Sequence, residues 1–484
     1  MGLRISKHFL KSSVMYTVAG SLPMASALVL LPFYVAHLST ADFGALSIYF
    51  AFSYFIQLLT TYSFDTSLYI HYHEFKSDRL RLASFTSSAF LFMLGIGACV
   101  GFLFFVSGDL LFRHVFVEQS IAFRPYGVMA AVTGIFQALF KVHGNLLQTR
   151  EKPEIYFWSY LSSFTIIASA TIAGLYLFPQ TLMGPVGGRM LAAVFSGGWA
   201  LARIFREFGV HFDLPLLRQS FRFNFFTFLY QFFQWVINYF DRFFMVFFLP
   251  LGLVGVYDFA FKCLLVLEFV VNGLHNSFYP KVVQTISVQE EKRSTLEVNR
   301  YYYGLIAATL VLVFGCILAY PILIDIFISK EEYLRAIDVV PFIALVYIFR
   351  AIRLFYLAPY GILKFTEPLS VIYVIISAVK ILIMWLTIGQ FGLYGVIAAS
   401  LGAALLEVVM LKVFLRRRFV FRYNLWKVWG TPIVLFLIVI AAEPVLGSTA
   451  PQIAHAAYLG VCILLLAWVY RNEWKFFLPS KMFR

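Results

Sequence analysis

The sequence predicts an all-α polytopic membrane protein of about 14 transmembrane helices, and three observations carry that prediction. The first is composition: 61% of the 484 residues are hydrophobic, only 13% are charged, and mean hydropathy is +0.83. A soluble core of this length could not bury so much apolar surface. The second is the uncharged runs, among them 12–41, 82–108, 155–188, 301–324 and 381–406. Each supplies the ~20 residues a helix needs to cross hydrocarbon, and a helix satisfies its own backbone there. The third is charge placement. With the N-terminus inside, 28 Lys and Arg fall at or near one set of helix ends, and only Arg113, Arg124, Arg189, Lys330 and Arg335 fall at the other. That is the positive-inside pattern. The net charge of +14 is therefore topological rather than a nucleic-acid footprint, and both termini are expected in the cytoplasm.

In chain order the spans are expected at about 13–37, 43–66, 83–107, 125–145, 155–178, 181–204, 222–247, 252–277, 301–327, 338–361, 366–388, 391–413, 428–446 and 453–470. The first is too long for a signal-peptide core and lacks a clear cleavage site, so it is kept as a helix. No loop is long enough to be a domain. The longest, about 278–300, and the basic tail 471–484 fall on the cytoplasmic side. Cys99, Cys263, Cys316 and Cys462 lie within spans without metal spacing and read as small apolar residues.

A repeat organises these spans. "FGALSIYFAF" (43–52) answers "VGVYDFAFKC" (254–263), "GNLLQTREKPEIY" (144–156) answers "GILKFTEPLSVIY" (361–373), and "GPVGGRMLAA" (184–193) answers "GLYGVIAASL" (392–401). Three matches in the same order divide the chain into an N-terminal six-helix lobe (1–210), a C-terminal six-helix lobe (211–420) and a final segment (421–484) with helices 13 and 14. Six spans per half make the repeat parallel, with its pseudo-axis along the membrane normal, as in alternating-access transporters with a central cavity.

The sharpest chemical signal lies in the seventh span. Asn224, Thr227, Gln231, Gln234, Asn238 and Asp241 are spaced 3, 4, 3, 4 and 3, which keeps all six on one helix face. Such a face is either the wall of an aqueous cavity or a polar helix–helix seam. The number of polar groups favours the cavity. Charges inside other spans gather in the second half: Arg242, Asp258 and Lys262, Arg350 and Arg353, Lys380, and Glu407. The first half offers Asp65 and Lys141. An ionisable group costs at least ~2.5–3.5 kcal/mol to place mid-membrane, so each is a candidate for function. Arg350 lies about 18 Å down its helix from Asp338, and Lys380 about 24 Å up from Lys364. Arg350, Arg353, Lys380, Lys262 and Lys141 are the expected cationic lining for a phosphate-bearing cargo, since Arg forks match phosphate oxygens. Asp241, Arg242, Asp258, Asp65 and Glu407 are the gate or ion-coupling candidates. Asp241 lies about 28 Å along its helix from Arg222, nearer the outer mouth than the midplane.

No P-loop, zinc spacing or nucleophile elbow stands out. No cofactor, metal or catalytic residue is expected. The cycle would then run on H⁺, Na⁺ or the cargo's own gradient.

Several motifs resemble the polysaccharide-type flippases of the multidrug/oligosaccharidyl-lipid/polysaccharide exporter superfamily. They are "LLPFYVAHLSTADFGALSIYFAFSYFIQLLTTYSFDTSLY" (30–69), "NYFDRFFMVFFLPLGLVGVYDFAFK" (238–262), "KEEYLRAIDVVPFIALVYIFRAI" (330–352) and "GLYGVIAASLGAALLEV" (392–408). Ser63 stands where that family usually has Gly before Phe64-Asp65-Thr66. The resemblance implies two six-helix lobes and a rocking cycle in the bacterial inner membrane. It implies transfer of an undecaprenyl-pyrophosphate-linked oligosaccharide to the periplasmic leaflet for O-antigen, lipopolysaccharide, capsule or exopolysaccharide assembly, with polymerase or assembly proteins as partners. It marks Asp65, Asp241, Arg242, Gly255 and Tyr257 as motif positions. Other cargoes in the same superfamily are a lipid-linked peptidoglycan precursor and drug cations. A drug-cation exporter is expected to present an acidic cavity, which the basic excess here disfavours. A membrane glycosyltransferase or polymerase would usually carry a long outer catalytic loop, and here the outer loops are short.

Overall fold

The computed structural model describes residues 7–116, 121–288, 295–327, 330–363, 365, 367–416, 418–442, 452–471 and 473. Residues 289–294 of the longest loop, and the basic tail after Glu473, lie outside them. The described chain is helical, with no strand longer than an isolated bridge. Packing divides it into two compact units, Met1–Asp258 and Phe259–Arg484.

The first unit holds α1 (Lys7–His37), α2 (Thr40–Thr61), α3 (Phe64–Phe75), α4 (Arg79–Val115), α5 (Val128–Thr149), α6 (Pro153–Leu177), α7 (Met183–Phe208), α8 (Leu214–Met245) and the first part of α9 (Leu251–Cys263). Local chemistry sets several of the starts. Ser39 and Asp42 form a capping box on α2: the Asp42 N–H donates to Ser39 Oγ (3.1 Å), and the Ser39 N–H donates to Asp42 Oδ2 (3.3 Å). Asp78 caps α4 and Asp213 caps α8 with a single side-chain bond each, accepting from the Arg81 and Leu216 N–H groups. α5 lies centrally, packing on α2, α3, α4 and α7, while α6 packs between α1 and α7. Phe64, Phe85, Phe90, Met93, Leu139, Val142 and Leu217 fill the core that α3, α4, α5 and α8 share.

Lipid tails are as apolar as leucine, so helices in a membrane associate through close packing more than through hydrophobic drive. The α2–α9 crossing shows this. A methyl group on Gly44 would overlap the Leu251 carbonyl, and one on Gly255 would overlap the Thr40 carbonyl. Gly44 and Gly255 are equivalent positions of the sequence repeat, and the fold sets them backbone against backbone.

The second expected span is broken. α2 ends at Tyr62 (φ 41°) and α3 begins after Ser63 (φ 59°), two consecutive residues in the left-handed region. Neither is glycine, so each carries local strain. The family Gly at position 63 thereby acquires a physical reason, because that conformation is free only to glycine.

The second unit holds the rest of α9, then α10 (Leu265–Val288), α11 (Leu296–Phe327), α12 (Ala336–Ile362), α13 (Glu367–Phe391), α14 (Leu393–Leu415), α15 (Thr431–Ala442) and α16 (Gln452–Val469). α12 and α14 form its centre, with α11 on α12 and α13 on α14. After α14 the chain runs as a strap beneath α12. Phe421 meets Phe355 with ring centroids 4.0 Å apart, and the Tyr356 and Tyr423 hydroxyls hydrogen-bond.

Among the described residues, nine helices are long and apolar enough to cross a membrane: α1, α2 with α3, α4, α5 with its lead-in, α6, α11, α12 with its lead-in, α13 and α14. α7, α8, α9 and α10 are not among them; α9 is 13 residues long. The chain is a multi-pass membrane protein.

Candidate functional site

The α8 face begins deep in the packing. Asn224 is fully buried, and among the described residues neither of its amide atoms has a hydrogen-bond partner. Thr227 bonds back to the Phe223 carbonyl (3.0 Å). Higher up, Gln231 reaches across to α3: its amide donates to Asp65 Oδ1 (3.4 Å). Asp65 is buried and accepts a 2.8 Å ion pair from Lys141 of α5, whose side chain is 43% exposed. Three residues from different parts of the sequence argument, Asp65, Lys141 and Gln231, therefore form one cluster. Gln234 donates to the Tyr230 hydroxyl (2.7 Å), and the exposed Asn238 donates to the Gln234 carbonyl (2.8 Å).

At the top of α8 the "DR" pair resolves into a buried network with α9. Arg242 donates from Nη1 to Asp241 Oδ1 (2.7 Å) and from Nε and Nη2 to Asp258 Oδ1 (3.0 and 2.9 Å). The Tyr257 hydroxyl donates to Asp241 Oδ2 (2.7 Å). All four residues are at most 7% exposed. One guanidinium thus ties two carboxylates on two helices.

In the second unit the expected cations also meet acids. Arg350 pairs with Glu268 of α10 (2.8 Å). Arg353 approaches Glu407 of α14 (3.6 Å), which also accepts the Tyr373 hydroxyl of α13. Lys380 is buried on the same α13 face as Tyr373 and Ser377, and Lys262 is half-buried on α9. Arg350 and Arg353 are thus partly neutralised by neighbours the sequence could not place.

One cation escaped the sequence argument. Arg189 counted there as a helix-end residue, but it lies six residues inside α7, about 9 Å along it. Its Nη2 donates to the Tyr54 hydroxyl (3.1 Å), and its plate lies over the Phe50 and Tyr54 rings (4.1 and 5.3 Å to the centroids). Tyr54 in turn packs on Tyr239 of α8, with centroids 5.0 Å apart. Among the described residues no carboxylate stands within ion-pair distance of Arg189. The available signal was the expected span 181–204 itself, which already sets Arg189 eight residues inside the helix.

Beyond the 181–204 span, Glu207 ends α7 between Arg150 and Lys152. The hydrogen bond from Arg150, and then the two positive charges, bring its carboxyl down to about 2.

A family model described as "Polysaccharide biosynthesis protein" matches residues 9–286. No curated protein sequence matches. Several solved structures share the fold, three of them at TM-scores of 0.60 or above. One is "Lipid II flippase MurJ, inward closed conformation", at 15% identity and TM-score 0.73, covering 97% of this chain and 98% of that one. A second is the inward-facing conformation of a multidrug resistance MATE family transporter of the MOP superfamily (10% identity, TM-score 0.63, 85% of this chain and 99% of that one). The third is the MATE multidrug transporter DinF-BH (14% identity, TM-score 0.60, 86% and 96%). At these identities the likeness is one of fold.

Proposed function

The chain belongs to the polysaccharide biosynthesis protein family, and from that premise we propose that it is a flippase for an undecaprenyl-pyrophosphate-linked oligosaccharide repeat unit. In this reading it works in the bacterial inner membrane with both termini cytoplasmic. The cargo passes from the cytoplasmic to the periplasmic leaflet by alternating access of the two repeat halves, 1–210 and 211–420. The observation that carries the proposal is the concentration of basic and hydrogen-bonding side chains inside helices that a purely structural protein would make apolar. Lys141, Gln231, Asn238, Arg189, Lys380 and Arg350 are the members we would assign to the cargo. A pyrophosphate needs cations, and a glycan needs amides and aromatic faces. The ion-paired carboxylates Asp65, Asp241, Asp258 and Glu407 are the groups through which H⁺ or Na⁺ would couple, because each holds a cation that protonation or a competing ion would release.

A lipid-linked peptidoglycan precursor presents the same pyrophosphate. It is the second reading, favoured by the fold shared with the lipid II flippase over nearly the whole chain. The excess of cations over acids within the spans disfavours a drug cation.

The test is complementation of strains that each lack one defined lipid-linked-glycan flippase, including one that depends on a lipid II flippase. Rescue of an oligosaccharide background alone supports the proposal, and rescue of the lipid II background alone replaces it with the second reading. Failure in every background, with the protein present in the membrane, removes both. R350A and K380A are expected to lower glycan export at least tenfold, and full export by both removes them from the cargo path.

A further inference from the structure

We propose that Arg189, Tyr54 and Tyr239 form a subsite for an anionic sugar of the cargo glycan. The inference rests on the flippase reading and names a feature of its cargo.

A guanidinium presents five N–H donors in a rigid fork. Among the described residues, Arg189 uses one hydrogen bond, to the Tyr54 hydroxyl, and no carboxylate neutralises it. The other deep arginines differ: Arg242, Arg350 and Arg353 each stand beside an acid. The plate of Arg189 is held flat by the Phe50 and Tyr54 rings, so its remaining edge is fixed in direction. Tyr54 and Tyr239 extend the aromatic surface, tilted by 32° to each other, with the Arg242 guanidinium 5.7 Å from the Tyr239 ring centroid. Both are half-buried, and the exposed Asn238 adjoins Tyr239.

The two halves of this arrangement select one chemistry. A fork with spare donors takes a planar oxyanion through paired hydrogen bonds. An aromatic face, with its negative quadrupole, takes the C–H face of a pyranose ring. A neutral sugar has no use for the uncompensated charge, and a bare phosphate has none for the tyrosines. A carboxylated pyranose uses both. Lys141 belongs to a different layer: it pairs with Asp65 beyond the end of α2, whereas Tyr54 sits in the body of that helix, about 10 Å from Thr61.

The test is thermal unfolding of the purified full chain in uncharged detergent at constant ionic strength, with glucuronate, glucose or inorganic pyrophosphate as probe. Glucuronate is expected to raise the midpoint of the wild type in the millimolar range, and glucose to leave it unchanged. R189Q and R189K should weaken glucuronate binding at least tenfold, the lysine because it has no fork, and Y239A should weaken it severalfold. R189K retains the charge and keeps the comparison open if R189Q does not fold. Absence of glucuronate protection overturns the subsite, as does protection unchanged in folded R189Q or R189K. Pyrophosphate acting as strongly as glucuronate through Arg189 also overturns it, because the arginine then reads a diphosphate and not a sugar. Complementation separates the two proposals. A wild type that binds glucuronate but exports no glycan removes the flippase reading. A wild type that exports while R189Q exports equally well removes the subsite alone.

Discussion

Ser63 shows how much one side chain can reveal about a backbone. It occupies a left-handed conformation with its hydroxyl fully buried and, among the described residues, without a hydrogen-bond partner. Ser63→Gly removes both penalties and adds backbone freedom to the unfolded chain. The net expectation is a gain of about 1 kcal/mol, read as a higher unfolding midpoint in detergent. Arg242 is the opposite case. Arg242→Met leaves Asp241 and Asp258 buried beside each other without their shared cation, and should cost about 3–5 kcal/mol. The triple change that also makes both acids Asn should recover most of that loss in the same measurement. The "DR" dipeptide was visible in the sequence as charge in an apolar run. Its partner Asp258 was visible as a separate candidate. That the two form one network follows from the hairpin between α8 and α9, which no spacing within either helix could reveal.

Among the helices, periodicity served well and pairing did not. The 3-and-4 spacing on α8 was legible because a helix imposes it. Yet Gln231 meets Asp65, a residue 166 positions away, and Asn224 points into packed protein. The break between α2 and α3 was hidden for a plain reason. Neither Tyr62 nor Ser63 is a helix-breaking type, so "TTYSFDT" reads as continuous helix. The α9–α10 break at Leu264 was hidden in the same way. The end of α7 yields a pH prediction. Because the Glu207 carboxyl is lowered in the folded chain to about 2, the stability it contributes is present above the ordinary carboxylate range near pH 4.5. That contribution fades as pH falls from there toward 2. The difference in unfolding midpoint between wild type and E207Q should therefore be largest near neutrality and shrink through this window. A difference that grows on acidification would reverse the assignment.

For the molecule as a whole, charge asymmetry was the strongest guide, and it makes a claim about sides that labelling can check. In a chain freed of its four cysteines, a cysteine at Glu151 should react with an impermeant maleimide only in inverted vesicles, and one at Gln180 only in intact cells. The repeat was legible as three short matches, but its most telling pair emerged in three dimensions, where Gly44 and Gly255 press backbone to backbone. That contact has a consequence in the language of genetic suppression. Most damaging core substitutions can be relieved by shrinking the residue opposite. Here the residue opposite is already glycine, and the atoms in the way are main-chain carbonyls that no mutation removes. A screen for second-site revertants of Gly44→Ala should therefore recover true revertants and distant loosening mutations, but none at position 255. The two sites should behave as independent fixed points, never as a compensating pair.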